Sequence, residues 1–166
     1  MEMEVLMKNM REAISNVMET MFFRLVQVPD VNGTLQEWFA RDRNLLGATL
    51  SFNGHSAGSI YLLMPAEMAD EMTCDFLGLE IDKVSEEQRK DIVKEALNMI
   101  GGHTLSISDG TGAYQIGIPA LLDESGLTHE KLGDLEGESI FIETENNHLA
   151  VGIIFEQIES DPGEEI

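Results

Sequence analysis

Two stretches of the chain repeat apolar residues at intervals of three and four, which is the period of an amphipathic helix. The first stretch runs from Val5 to about Arg24. The second begins at Ser85, where Ser85 and Gln88 have the spacing of a capping box, and it runs to about Gly101 or slightly beyond. Its apolar positions are Ile92, Val93, Ala96, Leu97 and Ile100. The pattern predicts two long helices, each with one buried side.

Paired strands are predicted in both halves of the chain. Leu45 to Phe52 and Ala57 to Met64 flank Asn53-Gly54, a dipeptide that suits a tight hairpin turn. Ser139 to Thr144 and Leu149 to Ile158 form a second apolar pair around a polar turn. The sequence therefore predicts two hairpins.

Shorter elements are predicted between the hairpins. Pro65 can begin a helix that covers Ala66 to about Leu77, since Gly78 ends it. The segment Asp109-Gly110-Thr111-Gly112 is predicted to be a turn, because it matches no phosphate-binding pattern. A strand is expected from Tyr114 to Ile118, just before Pro119.

The two halves of the chain share this layout of a helix followed by strands. Aligning Ala13 with Ile92 superimposes the apolar positions of the two long helices, and Asn53-Gly54-His55 corresponds to Asn146-Asn147-His148. This predicts an α+β fold made of a duplicated unit with pseudo-twofold symmetry. In it, the two long helices pack side by side on one face of a mostly antiparallel sheet. For 166 residues we expect a single domain over residues 1–166.

Charge and cysteine content narrow the range of expected partners and cellular compartments. The chain has 31 Asp and Glu against 10 Lys and Arg, a formal charge of -21. Such a field repels phosphate backbones and anionic lipid, so neither nucleic acid nor a membrane is an expected partner. Cys74 is the one cysteine, which excludes an intrachain disulfide and suits a reducing compartment. Because the first residues lack the pattern of a signal peptide, we expect a cytoplasmic protein.

Histidine and cysteine give no catalytic pattern. His55, His103, His129 and His148 lie in different segments without HxH or HxxxH spacing, so we expect no His-ligated metal site. His55 and His148 are expected to be exposed in hairpin turns, and His103 to be partly buried on its helix. Cys74 has no defined His partner, which argues against a nucleophilic role.

A polar stripe lies opposite the apolar side of the second long helix. At about 100° per residue, Asp91, Glu95, Asn98 and Gly102 fall on this stripe. Gly102 has no side chain and leaves one end of the stripe open to close approach by another surface. Most amphipathic helices have a solvated polar face, so an unrelated acidic domain also explains the stripe.

The spacing within the stripe resembles a family signature. Asp91-xxx-Glu95-xx-Asn98, followed by Gly101-Gly102 and later by Pro119, is similar to the signature of the CheC/CheX/FliY chemotaxis phosphatases. That family has Asp or Ser, three residues, Glu, two residues and Asn, then a Pro after a slightly longer gap. The duplicated layout also resembles the family. The resemblance implies hydrolysis of the aspartyl phosphate on a phosphorylated CheY-type response regulator.

The resemblance also implies a role for each residue of the stripe. Asn98 would position the attacking water, since a carboxamide can accept a hydrogen bond from water and donate to phosphate oxygens. Glu95 would pair with the active-site lysine of the regulator, while Asp91 and Gly102 would contact the partner at the edge of the site. No metal or cofactor of its own is implied, and Mg²⁺ would be supplied by the regulator. Without catalysis, the same fold would be a binding module for a response regulator or a flagellar switch component.

The first long helix decides how many sites are expected. CheC-type members resemble two-site enzymes with Glu-xx-Asn on each long helix, whereas CheX-type members carry one. Here Asn16 and Glu19 stand in the inverted order and Phe23 takes the place of Gly102, so we expect a structural helix and a chain closest to the CheX type. CheX-type relatives are dimers joined through their sheets. Leu149 to Phe155 has no charge to protect a sheet edge, which predicts a homodimer through that edge.

Overall fold

The computed structural model, which describes residues 2–108 and 114–156, consists of helices packed on a six-stranded sheet. The helices are α1 (Glu2–Met21), α2 (Leu35–Trp38), α3 (Ala66–Leu77), α4 (Glu86–Ser108) and α5 (His129–Leu132), with a 3₁₀ turn at Ile81–Lys83. The strands are β1 (Leu45–Asn53), β2 (Gly58–Pro65), β3 (Gln115–Ile116), β4 (Ala120–Leu121), β5 (Glu138–Glu143) and β6 (His148–Phe155). The predicted turn at Asp109 to Gly112 and the predicted strand end at 157–158 lie outside the described residues.

The order of the strands follows the duplication. It is β3-β1-β2-β6-β5, with β4 also paired to β1, and every pair is antiparallel. The unit α1-β1-β2 thus meets the unit α4-β5-β6 at the central β2–β6 pair, while α1 packs along α4. The short helices match as well, since Thr34 caps α2 and Thr128 caps α5 through the same side-chain hydrogen bond. The α+β fold with a duplicated unit is confirmed.

One face of the sheet carries α1, α3 and α4. Ala96 and Leu97 of α4 are completely buried in the core between helices and sheet. Gly101 allows a particularly close approach, because a Cβ there would lie 2.6 Å from Cδ2 of Leu50 on β1. The predicted packing of the two long helices on one face is therefore confirmed, and it turns the polar stripe of α4 outward.

The opposite face is also covered. The short helices α2 and α5 contribute to a second apolar cluster, whose buried members include Leu35, Phe39, Tyr61, Leu132 and Phe141. The side chains of β2, β5 and β6 alternate between the two clusters, so these strands are apolar on both faces. None of the helices in the described part of the chain has the length and apolar content needed to span a bilayer.

The prediction that Leu149 to Phe155 forms an exposed sheet edge is wrong. This segment lies in β6, which pairs with β2 on one side and with β5 on the other. An uncharged run of this kind is typical of a central strand that is buried on both faces. On this side of the sheet the edge strand is β5, which carries the exposed acids Glu138 and Glu143 at its ends.

The end of the first helix differs from the prediction. α1 ends at Met21 rather than near Arg24, and Phe23 follows in the left-handed region with φ of 57°. The N–H of Arg24 donates to the carbonyl of Met18 at 2.9 Å, which satisfies one of the carbonyls left free at the end of the helix. Phe23 lies beyond the helix and is 77% exposed. Phe23 therefore does not occupy a helical position equivalent to that of Gly102, which lies within α4.

The environment of the histidines was predicted only in part. His148 is partly buried rather than exposed: its Nε2 lies 2.6 Å from Oδ2 of Asp42, and its ring centroid is 5.5 Å from that of Phe39. These contacts come from a distant segment, which turn propensity does not reveal. His103 is partly buried on α4 and His55 is exposed, as predicted.

Candidate functional site

The N-terminal end of α4 is fixed by local and tertiary contacts. The N–H of Ser85 donates to Oε1 of Gln88 at 3.0 Å, and the N–H of Gln88 donates to Oγ of Ser85 at 3.1 Å, which confirms the predicted capping box. Arg89 donates to both carboxylate oxygens of Asp70 on α3, at 2.5 and 3.1 Å. Such a bidentate pair fixes direction as well as distance. The outward face of α4 is thus held in place beside α3.

A groove of about 580 Å³ runs along this face of α4. Asp91, Glu95 and Asn98 line it from the helix, and Pro119 lines it from the segment before β4. The structure therefore brings together the three side chains of the polar stripe and the proline of the sequence pattern.

The side chains of Glu95 and Asn98 are exposed and uncommitted. Among the described residues, neither forms a hydrogen bond or an ion pair. Asp91 differs, because its Oδ1 lies 3.4 Å from Nζ of Lys94. A carboxylate and a carboxamide that lie one turn apart and face solvent can together bind a cation and orient a water molecule.

Gly102 lies farther along α4 and does not line the groove. A Cβ at this position would lie 3.8 Å from Cδ1 of Ile116 on β3, which is an ordinary contact distance. Gly102 is thus half-buried and lies next to β3 of its own chain.

The corresponding residues of α1 are arranged differently. Nδ2 of Asn16 lies 3.4 Å from Nε2 of His103, so this amide joins α1 to α4. Glu19 is exposed on the last turns of the helix. The structural role of α1 stays a prediction.

Cys74 and the acidic side chains give no second site. Burial raises the pKa of the Cys74 thiol, and the carboxylates of Asp75, Asp70 and Glu71 raise it further against the opposing effect of Arg24. The thiol is thereby kept protonated, which makes it a poor nucleophile. Within residues 2–108 and 114–156, no three His, Cys, Asp or Glu side chains are grouped so that they could hold a metal ion.

Apolar residues of the groove were missed by the sequence analysis. Phe76 and Leu77, at the C-terminal end of α3, line the groove opposite Ile118 and Pro119. The only sequence signal for Ile118 is its place before Pro119, which favours an extended backbone. Nothing local indicates that the end of α3 meets this segment.

The family of the chain follows from its sequence. A model for the family described as chemotaxis phosphatase CheX matches residues 46–143, more than half of the chain. The chain belongs to the CheX family. The matched segment includes all of α4 and therefore the residues of the groove on that helix. No curated protein matches the chain at a significant level.

Solved structures of CheX proteins have the same fold. The chain is similar to chemotaxis protein CheX from Vibrio vulnificus, with 19% identity over 91% of this chain and 96% of that chain and a TM-score of 0.67. It is similar to CheX from Desulfovibrio desulfuricans, with 21% identity over 91% and 99% and a TM-score of 0.63. A complex of CheX with CheY, BeF₃ and Mg²⁺ from Borrelia burgdorferi matches with 18% identity over 91% and 97% and a TM-score of 0.62.

Proposed function

We propose that this CheX-family protein hydrolyses the aspartyl phosphate of a phosphorylated CheY-type response regulator. The observation that carries the proposal is the pair formed by Glu95 and Asn98, exposed and without partners among the described residues in the groove of α4. The family supports a chemotaxis phosphatase, and the complex from Borrelia burgdorferi supports a CheY-type partner. We place the reaction in the cytoplasm and assign Mg²⁺ to the regulator.

Asn98 is the residue that we assign to the chemical step. In hydrolysis, a water oxygen forms a bond to phosphorus, and the bond between phosphorus and the aspartyl oxygen breaks. Inorganic phosphate leaves, the regulator keeps a carboxylate, and the proton lost by the water passes to solvent. The transition state is loose, so placing the water in line is the main requirement. The neutral amide of Asn98 orients the water without adding negative charge beside the phosphoryl group.

Glu95 serves docking rather than bond breaking. Its carboxylate faces solvent one turn before Asn98, where it can pair with the active-site lysine of the regulator and fix the register of the complex. Asp91 contacts the partner at the edge of the groove, since its charge is already shared with Lys94. Gly102 contacts the partner next to Ile116, whose Cδ1 would lie 3.8 Å from a Cβ at this position.

The proposal includes a homodimer. Because β6 is internal, the strand edge that remains for a second copy on that side of the sheet is the part of β5 before Glu143, which is already paired with Gln27. Pairing of two β5 strands across a twofold axis would extend the sheet.

A dephosphorylation time course tests the proposed function. The phosphorylated regulator is followed alone, with the parent protein, and with Asn98→Ala. We expect the parent to accelerate phosphate loss. Asn98→Ala should lose most of this acceleration, while its Kd for the regulator changes little. Equal phosphate loss with and without the parent, despite complex formation, would identify a binding module instead.

A further inference from the structure

Among the described residues, Ile118 is the large apolar residue most exposed to solvent, at 91%. It lines the same groove as Glu95 and Asn98. An isoleucine in this position contributes almost no buried area to the fold of the free protein. Its side chain is therefore available to a partner that approaches Asn98.

The backbone around Ile118 is fixed on both sides. The N–H of Gly117 donates to the carbonyl of Ser51 on β1 at 2.8 Å. A Cβ at Gly117 would lie 2.5 Å from Oγ of Ser51, so the segment lies very close to β1. On the other side, Pro119 restricts the backbone, and Ala120 pairs with β1. Little conformational entropy remains to be lost when Ile118 is covered.

The groove combines apolar and acidic surface. Phe76 and Leu77 are partly exposed on the side of α3, and Ile118 completes an apolar rim with them. Asp91 and Glu95 lie in the same groove and carry negative charge. A partner surface that complements this groove would present an apolar side chain next to a basic one.

We infer that Ile118 is a docking and specificity residue for the receiver domain of the phosphorylated response regulator. The inference rests on the proposed function, because continuity with Glu95 and Asn98 identifies the occupant of the groove. Ile118 packs against an apolar side chain of the receiver domain while Glu95 pairs with a neighbouring basic group. Regulators that present a polar or acidic residue at that point are bound more weakly.

The test compares Ile118→Thr with the parent and with a matched control. Threonine keeps the branched Cβ that suits the extended backbone but removes apolar surface. The control is Ile81→Thr, which makes the same change at an exposed position outside the groove. Binding to a CheY-type regulator is measured with beryllofluoride and Mg²⁺ in place of the phosphoryl group, and steady-state hydrolysis is measured with the phosphorylated regulator.

We expect Ile118→Thr to raise Kd and KM about tenfold with kcat unchanged, which corresponds to about 1.4 kcal/mol. Ile118→Val should restore most of the affinity, and Ile81→Thr should match the parent. Unchanged Kd and KM in Ile118→Thr would overturn the inference while leaving the proposed function intact. If the parent binds the regulator through Ile118 but does not accelerate phosphate loss, the docking role stands and the proposed phosphatase function fails. Absence of binding by the parent would overturn both.

Discussion

Replacing Asn98 with aspartate separates water positioning from general-base catalysis. The substitution preserves the shape of the side chain but places a carboxylate in front of an anionic phosphoryl group. Asn98 is exposed and makes no side-chain hydrogen bond among the described residues. The free energy of unfolding should therefore change by less than about 0.5 kcal/mol. Any large loss of activity then reflects the reaction rather than the fold.

The size of that loss follows from the added charge. One unit of like charge at about 4 Å costs about 4 kcal/mol at an effective dielectric constant near 20. In rate this is roughly a thousandfold, before relaxation and the Mg²⁺ of the regulator reduce it. Asn98→Asp should therefore be no more active than Asn98→Ala.

The assay measures kcat for the parent, Asn98→Ala and Asn98→Asp. The pH range covers the values at which a carboxylate titrates and extends above them. Chemical unfolding of the three proteins serves as the control for stability. Near-parent activity of Asn98→Asp, with a pH dependence at the pKa of a carboxylate, would refute water positioning by a neutral amide. General-base catalysis would then replace it.

Four further predictions concern docking, the first helix, pH and assembly. Glu95→Ala should raise Kd for the regulator as well as lower the rate, whereas Glu87→Ala, which removes the same charge outside the groove, should do neither in a titration and a rate assay. Asn16→Ala and Glu19→Ala should keep dephosphorylation within about twofold of the parent, because their inverted order does not reproduce the site; loss of most activity in a folded variant would contradict this. Burial raises the pKa of the Tyr61 hydroxyl in the folded protein. The stability that this pKa difference provides is fully present below the ordinary tyrosine pKa and is lost as pH rises through the higher folded value. In urea unfolding, the free energy of unfolding should therefore fall less at alkaline pH in Tyr61→Phe than in the parent. Light scattering at micromolar concentration should give a dimer, and a mass of 18.4 kDa would exclude it.

The elements predicted best are those whose ends have local signals. Pro65 and Gly78 bound α3 at the predicted residues, and the Ser85 capping box begins α4 where expected. The prediction that Leu149 to Phe155 forms a sheet edge was wrong because hydrophobicity records burial, and a central strand and an unprotected edge can have the same apolar run. The end of α1 was missed because a phenylalanine, Phe23, adopts the left-handed conformation in which glycine is usual.

The candidate site was predictable along the helix but not across the fold. The spacing of Asp91, Glu95 and Asn98 places them on one side of α4, since helical geometry depends only on local sequence. The approach of Phe76 and Ile118 to that side depends on how α3 and the segment before β4 pack, which is tertiary information. Local patterns therefore indicated the polar residues of the groove and missed its apolar rim.

The most direct test of the central claim is turnover. The phosphorylated regulator is mixed with a much smaller amount of the parent protein, and the phosphate released is counted per copy of that protein. The account predicts that each copy releases many phosphates and that Asn98→Ala abolishes most of this release. Phosphate release no faster than that of the regulator alone, or undiminished release with Asn98→Ala, would contradict it.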